Sequence, residues 1–167
     1  MDEKTSPFPI INNRYQILST QANGGMSVIY RARDLTLERI VALKVLKSNL
    51  SEKKLFQEMF RKEAKSLANL THPNIVTIFD SGIDGKRFFI VMEIIEGLNL
   101  KEIILKQKLM KLEDGIKLLL QASSGLAFAH NHEIVHCDIK PQNMLVSTEG
   151  ILKITDFGIS RALDKIS

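Results

Sequence analysis

With one cysteine, Cys137, the chain can close no internal disulfide, which fits a reducing compartment and places the protein in the cytoplasm as an expectation. No apolar run approaches the ~18 residues that a membrane-spanning helix needs. The opening Met1-Asp2-Glu3-Lys4 is acidic and no apolar core follows it, so no signal peptide is read there. Neither sign of charge dominates. Twenty-three basic against 19 acidic residues leave +4, spread along the chain, and no nucleic-acid partner is expected from that balance. Two of only four prolines, Pro7 and Pro9, fall in the opening stretch, and residues 1–12 read as a flexible leader. What remains is ordinary: 167 residues, 44% hydrophobic and 25% charged, enough for a real core in one domain or two small lobes.

The chemistry concentrates in one stretch. His136-Cys137-Asp138-Ile139-Lys140-Pro141-Gln142-Asn143 is followed, after two short apolar runs, by Asp156-Phe157-Gly158. The runs, Met144-Leu145-Val146 and Ile151-Leu152-Lys153-Ile154, flank the polar, glycine-ended Ser147-Thr148-Glu149-Gly150, which is a hairpin signal. Closing that hairpin brings Asn143 and Asp156 to its open end, an amide oxygen beside a carboxylate. Hard oxygen ligands of this kind suit Mg²⁺, which takes few protein ligands and completes its shell with water and phosphate oxygens. Asp138, five positions before Asn143, is near enough to act on a hydroxyl beside such a metal.

Three strands are read at 14–21, 26–33 and 39–47, with two more at 75–80 and 87–93. In the third, alternation sets Val41, Leu43 and Val45 on one face and Ile40, Ala42, Lys44 and Leu46 on the other. Lys44 therefore lies on an otherwise apolar face, where an unpaired ammonium is costly. The segment 52–70 has helical spacing, with Phe56, Phe60, Leu67 and Leu70 along one stripe. Glu63 falls in that stripe, and periodicity alone leaves open whether it pairs with Lys44 or meets solvent at the stripe's edge. Helices are read at 99–107 and 112–132, the second with Ile116, Leu119, Leu120, Leu126 and Ala127 at core spacing. His130 and His132 are read as structural or solvated rather than as metal ligands, and His136 as a residue that holds its loop's backbone.

Together these motifs resemble the bacterial branch of the serine/threonine protein kinases, across about residues 15–161. The finer match rests on Gly24-Gly25-Met26-Ser27, on Asp138 through Asn143, and on Asp156-Phe157-Gly158-Ile159. The resemblance implies an α+β, two-lobed fold. A small lobe and hinge at 13–97 would hold a five-stranded antiparallel sheet and one helix, and 98–167 would form an incomplete large lobe. It implies ATP with Mg²⁺, or Mn²⁺, as cofactors, and a protein substrate bearing Ser or Thr. Asp138 would orient the hydroxyl and Lys140 would touch the γ-phosphate, while Asn143 and Asp156 would hold the metal. Lys44 and Glu63 would form the pair that orients ATP, beside Ala42. Ala22, Asn23, Gly24, Gly25, Met26, Ser27 and Ile29 would form the phosphate loop, and Glu93 and Ile95 the hinge.

Several positions depart from the family pattern. Ala22 and Ser27 stand where glycines are usual and Ile29 where valine is. Cys137 replaces the arginine that ordinarily pairs with a phosphorylated activation loop, and a thiol lacks that fork of donors. Ser167 lies nine residues past Gly158, so the parts of a kinase that bind the protein substrate and cover the 112–132 helix are not expected within this chain. Self-association through that uncovered face is the corresponding expectation. Two rival readings remain: a catalytically impaired nucleotide-binding module from a split or remnant kinase, and a small-molecule phosphotransferase of kinase-like fold.

Overall fold

The computed structural model describes residues 9–51, 54–67, 70–107 and 110–157. The chain divides into two compact units, one of residues 1–57 with 79–94, the other of 58–78 with 95–167.

The first unit is built on a six-stranded sheet of order β1-β2-β3-β4-β6-β5. Its strands are β1 (Ile10–Ile11), β2 (Tyr15–Asn23), β3 (Ser27–Asp34), β4 (Arg39–Leu46), β5 (Ile78–Asp84) and β6 (Arg87–Met92). Four of these are the strands expected from the sequence, while the strand expected at 75–80 overlaps β5 only at 78–80, Ile75 bridging Ile154 instead. The sixth, β1, lies inside the expected leader. It is two residues long, pairs antiparallel with β2, and buries Ile11 beneath a turn in which Asn12 and Asn13 both take left-handed φ, a conformation that asparagine tolerates better than most residues. The alternation read in β4 is realised. Val41, Leu43 and Val45 join Ile11, Tyr15, Ile17, Ala32, Phe89 and Val91 in one core cluster, while Ala42, Lys44 and Leu46 point the other way and are also buried.

At one end of this sheet a polar clasp joins three strands. Asp34, fully buried, accepts two 2.8 Å bonds from the Arg14 guanidinium and further bonds from the backbone N–H groups of Thr36 and Leu37. Those donors, Arg14 first, hold the Asp34 carboxyl below the usual carboxylate range. Tyr15, also buried, donates its hydroxyl to Asp80 at 2.5 Å, and burial pushes its pKa up.

Between the strands lie the short helix α1 (Ser48–Ser51) and α2 (Lys54–Leu67), which buries Phe60 and Ala64. The helix expected over 52–70 is α2, and α1 precedes it.

The second unit holds β7 (Gly97–Asn99), α3 (Leu100–Gln107), α4 (Leu112–Asn131), a 3₁₀ turn (Pro141–Asn143), β8 (Met144–Ser147) and β9 (Leu152–Ile154). Strands β7, β8 and β9 form a three-stranded antiparallel sheet. Gly97 is required there, because a Cβ at that position would lie 1.9 Å from the Val146 carbonyl oxygen. α3 begins on a reciprocal cap: Asn99 Oδ1 accepts from the Glu102 N–H, and Glu102 accepts from the Asn99 N–H. The core gathers Leu70, Ile75, Ala122, Ala129, Met144, Val146, Leu152, Ile154 and Phe157.

The buried face of α4 differs from the one read in the sequence. Ile116, Leu119, Leu120 and Ala127, placed at core spacing, are exposed, Leu119 and Leu120 by 63% and 65%. The face that packs inward carries small residues, Ala122, Gly125 and Ala129. The helix is apolar most of the way round, so periodicity could not select a side. Close approach selected it: a Cβ on Gly125 would lie 2.9 Å from the Asn74 carbonyl oxygen. Among the described residues no helix is long and apolar enough to cross a membrane.

Candidate active site

The catalytic-type loop leaves α4 through Glu133, at φ 60°, and enters the 3₁₀ turn at Pro141. His136 organises it. The ring is buried, its Nδ1 accepts from the Asp138 N–H at 3.1 Å, and its Nε2 lies 2.9 Å from the Thr155 carbonyl oxygen. These bonds fix one tautomer: Nδ1 is bare and Nε2 carries the proton. The ring also packs on Phe157 at 4.5 Å. Burial holds the imidazole pKa below its ordinary 6.5, so His136 is neutral and binds backbone to backbone.

Asp138, Lys140 and Asn143 come together in this loop. Lys140 Nζ donates to Asp138 Oδ2 at 2.5 Å. Asn143 is buried, and its Nδ2 donates to the Asp138 carbonyl oxygen at 2.9 Å and to Asp138 Oδ2 at 3.2 Å. Its amide nitrogen is thereby engaged inward, which leaves Oδ1 as the group available for a ligand. The expected hairpin closes, with Met144 opposite Ile154, and one further bond from the Thr155 N–H to the Asn143 carbonyl extends it to the open end. Asp156 is the next residue. Cys137, which precedes Asp138, and Asp156 itself both adopt left-handed φ, 66° and 61°. Non-glycine residues held there cost energy and recur at functional sites.

The donor chemistry at the hairpin's open end fits a hard divalent cation. Asn143 and Asp156 supply one amide oxygen and one carboxylate, both oxygen donors. Among the described residues no three His, Cys, Asp or Glu side chains form a metal cluster. A two-ligand protein site is the kind that waters and substrate phosphates complete.

The remaining expected residues divide between the units. In the first, Ala22 and Asn23 end β2, opposite Ile29 and Val28, and the turn at Gly24, Gly25 and Met26 is closed by the Gly24 N–H bonding the Ser27 carbonyl oxygen at 3.0 Å. Nothing lies within 4 Å of a Cβ built on Gly25, so this tip is open on that side. Ile29 pairs across the sheet with Lys44, which is 2% exposed, and Ala42 pairs with Met92 at the end of β6. Glu93 follows Met92 in the first unit, and Ile95 opens the second unit's later segment. The Glu63 side chain lies outside the described residues, as do Gly158 and Ile159.

Sequence reasoning missed the groups that anchor the hairpin from outside. His72-Pro73-Asn74 reads only as a helix breaker, yet Asn74 is buried, and its carbonyl accepts from the Ile154 N–H at 2.9 Å. Its side chain donates to the Leu152 carbonyl at 2.8 Å and to Gln121 at 3.1 Å. No local pattern marks such long-range polar contacts. The one available signal was Gln121, a polar residue that follows the apolar run Leu118-Leu119-Leu120.

Residues 15–167 match the protein kinase domain family model, and the chain belongs to that family. Among bacterial relatives, it is 43% identical over 153 residues to the serine/threonine-protein kinase PrkC of Bacillus subtilis, covering 92% of this chain and 24% of that protein. It is 41% identical over 155 residues to a probable serine/threonine-protein kinase of Clostridium perfringens, covering 93% of this chain and 23% of the relative. The chain thus spans about a quarter of the length of these relatives. The kinase domain of Mycobacterium tuberculosis PknI superposes with a TM-score of 0.78 at 22% identity, over 92% of this chain and 63% of that one, which shows the protein-kinase fold. The family uses ATP with a divalent metal and acts on proteins.

Proposed function

We propose that this chain is the nucleotide- and metal-binding part of a cytoplasmic, ATP-dependent protein serine/threonine kinase, with Mg²⁺ as the working metal. The observation that carries the reading is the joint placement of Asp138, Lys140 and Asn143 in one hydrogen-bonded loop, at the end of the hairpin that presents Asp156. Residues 13–97, with β1 added at the sheet edge, would serve as small lobe and hinge, and 98–167 as a partial large lobe.

Asn143 Oδ1 and the Asp156 carboxylate would hold the cation. Bound Mg-ATP supplies the transferable γ-phosphoryl group together with positive charge that offsets its own. Asp138 would hold the incoming Ser or Thr hydroxyl and accept its proton, at an oxygen already kept in place by Asn143. Lys140, within reach of Asp138, would exchange that contact for a phosphate oxygen. Lys44 and Glu63 would orient the nucleotide, the 22–27 turn and Ile29 would cover it, and Ala42, Glu93 and Ile95 would frame the base. Catalysis of this kind is mainly positioning and electrostatics, so a displacement of about 1 Å at one group can cost ~100-fold.

Radiolabelled phosphate transfer to a generic basic protein tests the reading. Trace transfer onto Ser or Thr, lost in Asp138→Asn, is expected. Transfer to small metabolites in preference to protein would overturn it.

The exposed side chains of Leu112, Ile116, Leu119 and Leu120 on α4 support a second element, self-association of the isolated chain. Exposed apolar side chains at i, i+4, i+7 and i+8 lie on one helix face, and an apolar face left open to water favours association.

A further inference from the structure

The hairpin that carries Asn143 and Asp156 is not self-sufficient. Strand β9 is three residues long and β8 four, β7 pairs, among the described residues, only with β8, and strands this short are marginal without further partners. Support comes from both sides. Segment 74–76 runs alongside β9, with the Ile154 N–H bonded to the Asn74 carbonyl and the Val76 N–H to the Ile154 carbonyl, both at 2.9 Å. From the helix side a single residue, Gln121, reaches three places at once. Its Oε1 accepts from the Leu152 N–H at 2.8 Å and from Asn74 Nδ2 at 3.1 Å, and its Nε2 donates to the Gly150 carbonyl oxygen at 3.1 Å. Asn74 Nδ2 in turn donates to the Leu152 carbonyl oxygen.

This geometry fixes position along the strand. Cross-strand bonds between β8 and β9 set a register, but a short strand can slip, and a slip of one residue moves every side chain by ~3.3 Å and turns it to the other face. Gln121 grips the turn through Gly150 and the returning strand through Leu152, from a helix that is itself locked against Asn74 at Gly125. Asp156 lies four residues beyond Leu152 on the same run of chain. The bonds that Gln121 makes therefore set how far Asp156 projects relative to Asn143.

We propose that Gln121 is a positioning residue for the divalent-cation site. It touches neither metal nor nucleotide, and acts by holding β9 in the register that pairs the Asp156 carboxylate with the Asn143 amide oxygen. The inference rests on the Mg-ATP reading above and adds to it a residue outside the motifs.

Mn²⁺, which is paramagnetic, is the probe. Its affinity for the chain in the presence of ATP is measured alongside the affinity for ATP without metal. Gln121→Met keeps length and apolar bulk but loses all three bonds. It is expected to weaken Mn²⁺ binding fivefold or more while metal-free ATP affinity stays within twofold, and to speed amide exchange at Leu152. Gln121→Glu keeps the oxygen that Leu152 and Asn74 donate to but sets an acceptor against the Gly150 carbonyl oxygen, and is expected to weaken Mn²⁺ binding by an intermediate two- to fivefold. A folded Gln121→Met that binds Mn²⁺ like wild type overturns the assignment, as does equal weakening of metal-free and metal-dependent binding. Should Gln121→Met not fold, Gln121→Glu decides alone: Mn²⁺ affinity equal to wild type, or an equal loss of metal-free ATP affinity, overturns the proposal, and a twofold or greater loss of Mn²⁺ affinity with metal-free ATP affinity unchanged supports it. A folded wild type that binds no Mn-ATP would instead overturn the function reading, and this assignment with it.

Discussion

Replacing His136 with leucine removes a ring that joins two segments of the site. Two part-buried bonds are lost, from the Asp138 N–H to Nδ1 and from Nε2–H to the Thr155 carbonyl. Each backbone group left without a partner costs about 1–3 kcal/mol, and the ring contact with Phe157 is only partly replaced by an aliphatic side chain. A loss of about 3 kcal/mol follows, a large fraction of the 5–15 kcal/mol typical of folded domains. The loss depends on pH with a definite sign. Burial depresses the His136 pKa in the folded state, so below about pH 6.5 the unfolded imidazole takes up a proton that the folded one refuses. The stability His136 contributes is complete above pH 6.5 and falls as pH drops toward the depressed folded value, by up to about 1.4 kcal/mol per pH unit. Urea unfolding of wild type and His136→Leu at pH 8 and pH 5.5 should show a gap of about 3 kcal/mol at pH 8 that narrows at pH 5.5. A gap that is absent at pH 8, or that widens in acid, would refute this account of the loop.

Asp34→Ala should lower the thermal midpoint by about 5 °C or more, since it strips the Arg14 guanidinium and two turn N–H groups of their shared acceptor. Because the folded Asp34 pKa is depressed, that contribution is present above the usual carboxylate pKa and is lost as pH falls below it, so the two proteins should converge in acid. Leu119→Lys with Leu120→Glu should leave the unfolding midpoint nearly unchanged and reduce self-association in sedimentation, because both side chains already face outward. Since Cys137 cannot offer an arginine's donors, a kinase domain with this loop and a complete activation segment should keep its rate on phosphatase treatment. A fall of tenfold, about 1.4 kcal/mol on the barrier, would contradict that.

Much of the site was legible because its signals are local. The hairpin between Asn143 and Asp156 announced itself through two apolar runs and a glycine-ended turn, and it forms. Lys44 could be placed on a buried face because strand alternation has a period of two and leaves no ambiguity. α4 was misread for the opposite reason. Its apolar residues surround the helix, and the choice of face fell to Ala122, Gly125 and Ala129, whose small size permits close approach but carries little hydrophobic signal. β1 was missed because two residues give no pattern. Asn74 and Gln121 were missed because a bond across 47 positions of sequence leaves no trace in either neighbourhood.

The central claim is that Asn143 and Asp156 make this chain a metal-dependent nucleotide binder. Calorimetric titration of ATP into the folded chain, with and without Mg²⁺, tests it directly. ATP binding that tightens tenfold or more on adding Mg²⁺, with that gain lost in Asp156→Ala, is the predicted result. A folded wild-type chain whose ATP binding is absent, or is indifferent to Mg²⁺ and to Asp156, would contradict it.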